Sequence, residues 1–128
     1  MSKPKILLTC HWPKAVETAL AEKYTVTICE SGQALSQDGF KEAFSKYDAV
    51  LPTVTDKIPA EAFQVNAPRT KFLGNFGVGY AHIDTNAAKA ANIIVTNTPD
   101  VLSDCTADIA LTLMLMAARR AGEGERQL

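Results

Sequence analysis

The chain has 128 residues, with 13 Lys+Arg set against 14 Asp+Glu for a formal net charge of −1. At 47% apolar and 21% charged residues it has ordinary globular composition, which excludes a disordered or fibrous chain, and its length suits one domain with a real core. The balanced charge, without a Lys/Arg run, excludes the electrostatic footprint of a nucleic-acid binder or a membrane-surface protein.

No apolar stretch reaches the ~18 residues of a membrane span. Met1-Ser-Lys-Pro-Lys5 is basic, but only Ile6 to Leu8 follow as a continuous apolar stretch, too few for a signal peptide. Cys10, Cys29 and Cys105 are odd in number and widely spaced, which indicates neither a disulfide framework nor a metal knuckle. The expectation is a reduced, cytoplasmic protein.

In chain order, Lys5 to Thr9 reads as a short buried strand. Pro13 suits a first helical turn, and Ala15, Val16, Ala19 and Leu20 carry helical spacing to about Lys23. Tyr24 to Cys29 is rich in β-branched residues, a second strand. Ser31 to Asp38 is polar and punctuated by Gly32 and Gly39. Phe40, Ala43, Phe44 and Tyr47 then recur at i, i+3, i+4, i+7, a second helix.

Asp48 to Leu51 forms a third strand ended by Pro52. Pro59 to Phe63 reads as a short helix, and Arg69 to Leu73 leads into a fourth strand. A glycine loop follows, Gly74-Asn-Phe-Gly-Val-Gly79. Asp84 can cap a helix over Thr85 to Ala91 by accepting from N–H groups of its first turn. Ile93 to Thr96 is a fifth strand, closed by Pro99. From about Leu102 the pattern is one long helix, ~40 Å if it runs to Leu128 at 1.5 Å per residue. Five β segments separated by helices predict an α/β fold: a three-layer, flavodoxin-like, five-stranded parallel sheet followed by a long interdomain helix.

Ligands of open α/β sheets bind outside the carboxyl ends of the strands, which directs attention to the loops after strands one, three, four and five. The glycine loop reads G-x-x-G-x-G, not the dinucleotide fingerprint G-x-G-x-x-G, and neither that fingerprint nor a P-loop occurs in the chain. Glycines at 74, 77 and 79 permit positive φ and close backbone approach. The N–H groups of Val78 and Gly79 can then face an anion; the alternative is a tight turn that only redirects the chain.

His11 and His82 both fall at this edge, and each is either an acid/base group or a polar histidine beside a turn. Neither has a partner fixed by sequence, although Asp84 lies two residues from His82. Cys10-His11 lacks the second pair of a metal site. Asp48 precedes its strand, which excludes a phospho-acceptor constellation. Ile109 to Ala118 holds ten residues with only Thr112 polar. A helix apolar all round must be covered, so a further domain or second subunit is expected over it, against the plainer reading of a core helix frayed after Ala118 at Gly122 and Gly124.

Together these segments resemble the D-isomer-specific 2-hydroxyacid dehydrogenases, most closely the glyoxylate/hydroxypyruvate reductases. Asn75-Phe-Gly-Val-Gly-Tyr-Ala-His-Ile-Asp84 is similar to the family's substrate loop. Val95-Thr-Asn-Thr-Pro-Asp-Val-Leu-Ser-Asp-Cys-Thr-Ala-Asp108 is similar to its hinge and the start of its interdomain helix, and Met114-Leu-Met-Ala-Ala-Arg-Arg120 to that helix's end.

The resemblance implies a two-domain enzyme with its cofactor in the cleft. Residues 1–99 would be the N-terminal part of the substrate domain. Residues 100–128 would be the hinge and first long helix of a nucleotide-binding domain whose remainder is absent. It further implies that Val78 and Gly79 hold the substrate carboxylate, that Val54 after strand three lines the pocket, and that Thr106 faces the cofactor. The helix at 102–120 would serve a homodimer.

The implied chemistry is hydride transfer between NAD or NADP and a small 2-keto or 2-hydroxy acid. The segment Thr98-Pro-Asp-Val-Leu-Ser-Asp104 favours glyoxylate or hydroxypyruvate over phosphoglycerate. The catalytic arginine, carboxylate and histidine and the G-x-G-x-x-G loop belong to a segment after Leu128, so no catalytic residue is assigned here, His11 and His82 included. The isolated chain is expected to be inactive and to bind no cofactor alone, and no metal, nucleic acid or membrane is expected. The competing readings are a stand-alone acid-binding or dimerisation module, and a non-enzymatic relative that assembles with protein partners.

Overall fold

In a computed structural model, residues 2–30 and 34–126 are described. The chain divides into two compact units, Met1–Thr98 and Pro99–Leu128.

The first unit carries β1 (Lys5–Leu8), α1 (Lys14–Lys23), β2 (Thr25–Ile28), α2 (Gln37–Lys46), β3 (Ala49–Leu51), a 3₁₀ turn (Ala60–Phe63), β4 (Phe72–Gly74), α3 (Thr85–Ala90) and β5 (Ile94–Thr96). All strand pairs are parallel, in the order β2-β1-β3-β4-β5. This is the flavodoxin-like order, with its switch point between β1 and β3.

Register explains the core. Leu7, Val50, Leu73 and Val95 stand in one row across the sheet. They pack against Phe40, Ala43 and Phe44 of α2, Ala62 and Phe63 of the 3₁₀ turn, and Ala88 of α3. Phe44 stacks on Phe63 with centroids 5.2 Å apart. The neighbouring row, Ile6, Ala49, Phe72 and Ile94, faces the other side. There Leu20 of α1 and Tyr24 border an apolar groove of about 470 Å³ with Ile6, Ala49 and Phe72.

At the amino ends of the strands, the Asp48 carboxylate accepts from Arg69 Nε (2.8 Å), Arg69 Nη2 (3.0 Å) and the Lys5 N–H (2.7 Å). The arginine fork, then the Lys5 amide, holds the Asp48 carboxyl below its ordinary range. Asp48 thus ties strand starts together, at the edge opposite the strands' carboxyl ends.

Local chemistry sets the boundaries. Helix α2 begins at Gln37, earlier than its apolar stripe, because the Ser36 hydroxyl caps it by accepting from Gly39 N–H. Ser31 and Gly32 of the polar stretch before it lie outside the described residues. Asp84 caps α3 as expected, accepting from Ala87 N–H at 2.8 Å.

The second unit contains α4 (Ser103–Ala118) and α5 (Ala121–Glu125). The single helix expected to run on toward Leu128 is therefore two. Arg120 sits at φ 50°, a left-handed conformation that breaks the helical ladder ahead of both glycines; α4 alone spans about 24 Å. Its apolar side chains from Ile109 to Met116 are 43–66% exposed where large and hydrophobic. Among the described residues, no helix is long and apolar enough to cross a membrane.

Candidate functional site

The carboxyl ends of β3 and β4 bring two loops together. Phe76 N–H donates to Pro52 C=O at 2.8 Å, and Thr53 and Phe76 form a parallel bridge. The first loop, Thr53–Asp56, closes on itself from both sides. Asp56 N–H donates to Thr53 C=O (3.0 Å), while Asp56 Oδ2 accepts from Thr53 N–H (2.9 Å). The same carboxylate oxygen accepts from Thr9 Oγ1 at 2.6 Å, anchoring the loop to the end of β1. Asp56 is 2% exposed, a buried carboxyl group whose oxygen is satisfied by these donors.

Val54, at the loop's tip, is 53% exposed and lies against Gly77. A Cβ at Gly77 would sit under 3.0 Å from Val54 Cγ1, and one at Gly74 would meet Leu51 Cδ2 at 2.9 Å. These two glycines are required by close packing. None of the described glycines has a positive φ, so the left-handed freedom expected of 74, 77 and 79 is not used. Gly79 differs from its neighbours: apart from the residues adjoining it in the chain, no atom of the described residues lies within 4 Å of where its Cβ would be.

The glycine loop is held by side-chain amides. Asn75 Nδ2 donates to Gly77 C=O (3.1 Å) and Gly79 C=O (2.9 Å), and Asn97 Nδ2 donates to Val78 C=O (2.9 Å). The N–H groups of Val78 and Gly79 donate to no acceptor among the described residues. Val78 itself is half-exposed. Pinned carbonyls, free N–H groups and open space over Gly79 together make a backbone surface suited to an anion.

His82 and His11 each have a partner that sequence spacing did not reveal. His82 Nε2 lies 3.0 Å from Asn75 Oδ1, and burial pushes its pKa below the ordinary value. Asp84, its near neighbour in sequence, is committed to capping α3. His11 Nδ1 contacts Glu17 Oε1 at 3.0 Å, and that oxygen also accepts from Trp12 N–H (2.9 Å). The bond to His11, then that to Trp12 N–H, holds the Glu17 carboxyl low. Trp12 packs against Phe76 in a tilted arrangement, centroids 4.7 Å apart and planes at 31°, so the loop after β1 also reaches the glycine loop.

Of the residues singled out by sequence, Val54, Val78 and Gly79 thus belong to adjoining loops of the first unit. Thr106 lies in the second unit, an exposed residue of α4 whose N–H donates to Leu102 C=O. Asn75, Asn97, Asp56 and Thr9 went unassigned, although Asn75 directly follows β4 and precedes two glycines.

The sequence profile of the D-isomer specific 2-hydroxyacid dehydrogenase catalytic domain matches residues 6–122. The chain belongs to this family. It is 37% identical over 124 residues to a glyoxylate reductase of Thermococcus onnurineus (strain NA1), covering 97% of this chain and 37% of that protein. It is 36% identical over 128 residues to a glycerate dehydrogenase of Hyphomicrobium methylovorum, covering all of this chain and 40% of the other.

Among solved structures, a D-isomer specific 2-hydroxyacid dehydrogenase, NAD-binding, from Polaromonas sp. JS6 66 superposes with a TM-score of 0.81 at 33% identity. That match covers 97% of this chain and 39% of that one. The 2-hydroxyacid dehydrogenase sheet is thus present, and the chain spans about two-fifths of the length of the relatives it matches.

Proposed function

We propose that these residues form the acid-binding part of an oxidoreductase that transfers hydride between NAD or NADP and a small 2-keto or 2-hydroxy acid, glyoxylate or hydroxypyruvate by preference. The observation that carries this reading is the Val78–Gly79 backbone: two unpaired N–H groups on a loop whose carbonyls are tied down, beside a glycine with empty space over it. A carboxylate placed there would gain charge-assisted hydrogen bonds from donors already oriented. Val54 supplies the apolar wall beside Gly77. Similarity to a glyoxylate reductase and a glycerate dehydrogenase supports the substrate class.

In this reading residues 1–99 are the N-terminal part of the substrate domain, and residues 100–128 the hinge and first helix of a nucleotide-binding domain. Residues 1–128 do not fit a dinucleotide by themselves: they contain no G-x-G-x-x-G, and of the resemblance's cofactor contacts only Thr106 is among them. The hydride would come from a nicotinamide cofactor held outside residues 1–128, and this chain's own residues bind and orient the acid. The exposed apolar side chains of α4 suit a homodimer interface, and a cytoplasmic location fits a chain with three free cysteines.

The test uses the purified 128-residue protein with glyoxylate and NADPH or NADH. Binding of glyoxylate without cofactor oxidation is expected. Measurable turnover would overturn the division of labour, and failure to bind the acid would favour a dimerisation module that keeps only the scaffold.

A further inference from the structure

A trans peptide is planar, with its C=O and N–H pointing oppositely. Fixing a carbonyl therefore aims the N–H of the following residue. In the glycine loop three consecutive peptide planes are fixed this way. Gly77 C=O accepts from Asn75 Nδ2 and from Thr98 N–H (3.1 Å each), Val78 C=O from Asn97 Nδ2, and Gly79 C=O from Asn75 Nδ2. The first plane aims the N–H of Val78, and the second that of Gly79.

Among the described residues Asn75 is the one side chain that holds two of these planes, and it is 2% exposed. An amide nitrogen has two hydrogens, and both are used on carbonyls, so the amide oxygen must face His82. That oxygen can only accept. His82 Nε2 must then carry the hydrogen, which fixes the ring tautomer from the bonding pattern alone.

We propose that Asn75, locked in orientation by the Nε2–H of His82, is a positioning residue of the acid site: through the Gly77 carbonyl it aims the Val78 N–H, and through the Gly79 carbonyl it braces the far side of Gly79, whose own N–H is aimed by the Asn97 bond to Val78 C=O, all without touching the acid. The proposal rests on the acid-binding reading of this loop and adds the device that preorganises it. With His82 lost, Asn75 Oδ1 loses its donor and the amide is held only through its two N–H bonds, so the loop loosens while the fold around it stays.

The experiment uses ¹⁵N-labelled protein and glyoxylate as the probe. Long-range ¹⁵N–¹H spectra of the imidazoles at pH 7.5 are expected to show His82 as the Nε2–H tautomer; the Nδ1–H tautomer would overturn the proposal irrespective of acid binding. In titrations read at the Val78 and Gly79 amides, His82→Leu is expected to weaken glyoxylate binding by about tenfold, as the loss of one hydrogen bond does. His82→Gln, which can donate from the same direction, is expected to stay close to wild type. Asn75→Asp, of equal size but without the two donors, should lose binding more severely.

Equal binding by wild type and His82→Leu, or equal loss in His82→Gln and His82→Leu, would overturn the positioning role. If the wild-type protein itself binds no glyoxylate, it is the underlying acid-site reading that fails. Should His82→Leu not fold, the tautomer spectrum and the ratio of His82→Gln to wild type still decide.

Discussion

Gly77 and Gly79 are two residues apart, yet alanine at each should have opposite consequences. At Gly77 the added methyl would lie under 3.0 Å from Val54 Cγ1, against about 3.5–4.0 Å for comfortable carbon contact. Val54 is β-branched and stiff at χ1, so the two loops must part. Overpacking of this kind costs about 1–3 kcal/mol, and since φ at Gly77 is not positive, reduced freedom of the unfolded chain returns roughly 0.4–1 kcal/mol.

A net loss of about 1–2 kcal/mol follows for Gly77→Ala, a fall in Tm of roughly 5–15 °C for a domain of this size. At Gly79 there is nothing to strike and no positive φ, so Gly79→Ala should melt at or slightly above wild type. Its methyl, however, occupies the space left for the acid, and glyoxylate binding should fall by about tenfold or more. Thermal melts read by circular dichroism, paired with calorimetric titration of glyoxylate, separate the two. A Gly77→Ala protein of undiminished Tm, or a Gly79→Ala protein that binds glyoxylate normally, would refute the reasoning.

Asp56→Ala leaves Thr53 N–H and Thr9 Oγ1 short of their buried acceptor. A loss of about 2–4 kcal/mol is expected by urea unfolding, and a loss under ~1 kcal/mol would show that water replaces the carboxylate. Stability should also fall on acidification in two steps. His82 has a folded pKa below its unfolded one, so the unfolded state takes up the proton first and stability declines as pH drops below about 6.5. Asp48, also depressed, contributes stability above its ordinary carboxylate range and loses it as pH falls through that range. Melts between pH 8 and pH 3 check this, and His82→Gln should remove the first step alone. Finally, if α4 serves a homodimer, Leu113→Glu should convert a sedimenting dimer to monomer, and a wild-type chain that is already monomeric at high concentration would contradict that use of the helix.

The strands were legible because each is a short apolar or β-branched run, and alternation with helices left parallel pairing as the natural arrangement. Asp84 could be read as a cap because capping is local. What escaped sequence reading joins residues far apart in the chain. Thr9 and Asp56 are 47 positions apart, and Asn97 reaches back 19 positions to Val78. Of the two reasons the sequence offered for the glycines, close approach holds at Gly74 and Gly77, Gly79 faces open space instead, and left-handed backbone is used at none of the three. A single helix running on toward Leu128 was expected, with fraying after Ala118 as the plainer alternative; α4 does end at Ala118, but the break is made by Arg120 in the left-handed conformation rather than by the glycines. His82 found its partner in an amide seven residues earlier, across a loop where no helical or strand periodicity applies.

An acid held by the backbone at Val78 and Gly79 is the core of the proposed function. An amide-resolved titration of the ¹⁵N-labelled protein with glyoxylate tests it most directly. Saturable shifts are expected, centred on the Val78 and Gly79 amides, with smaller ones at Val54 and Asn75. Shifts confined to other residues, or none at millimolar glyoxylate, would contradict it.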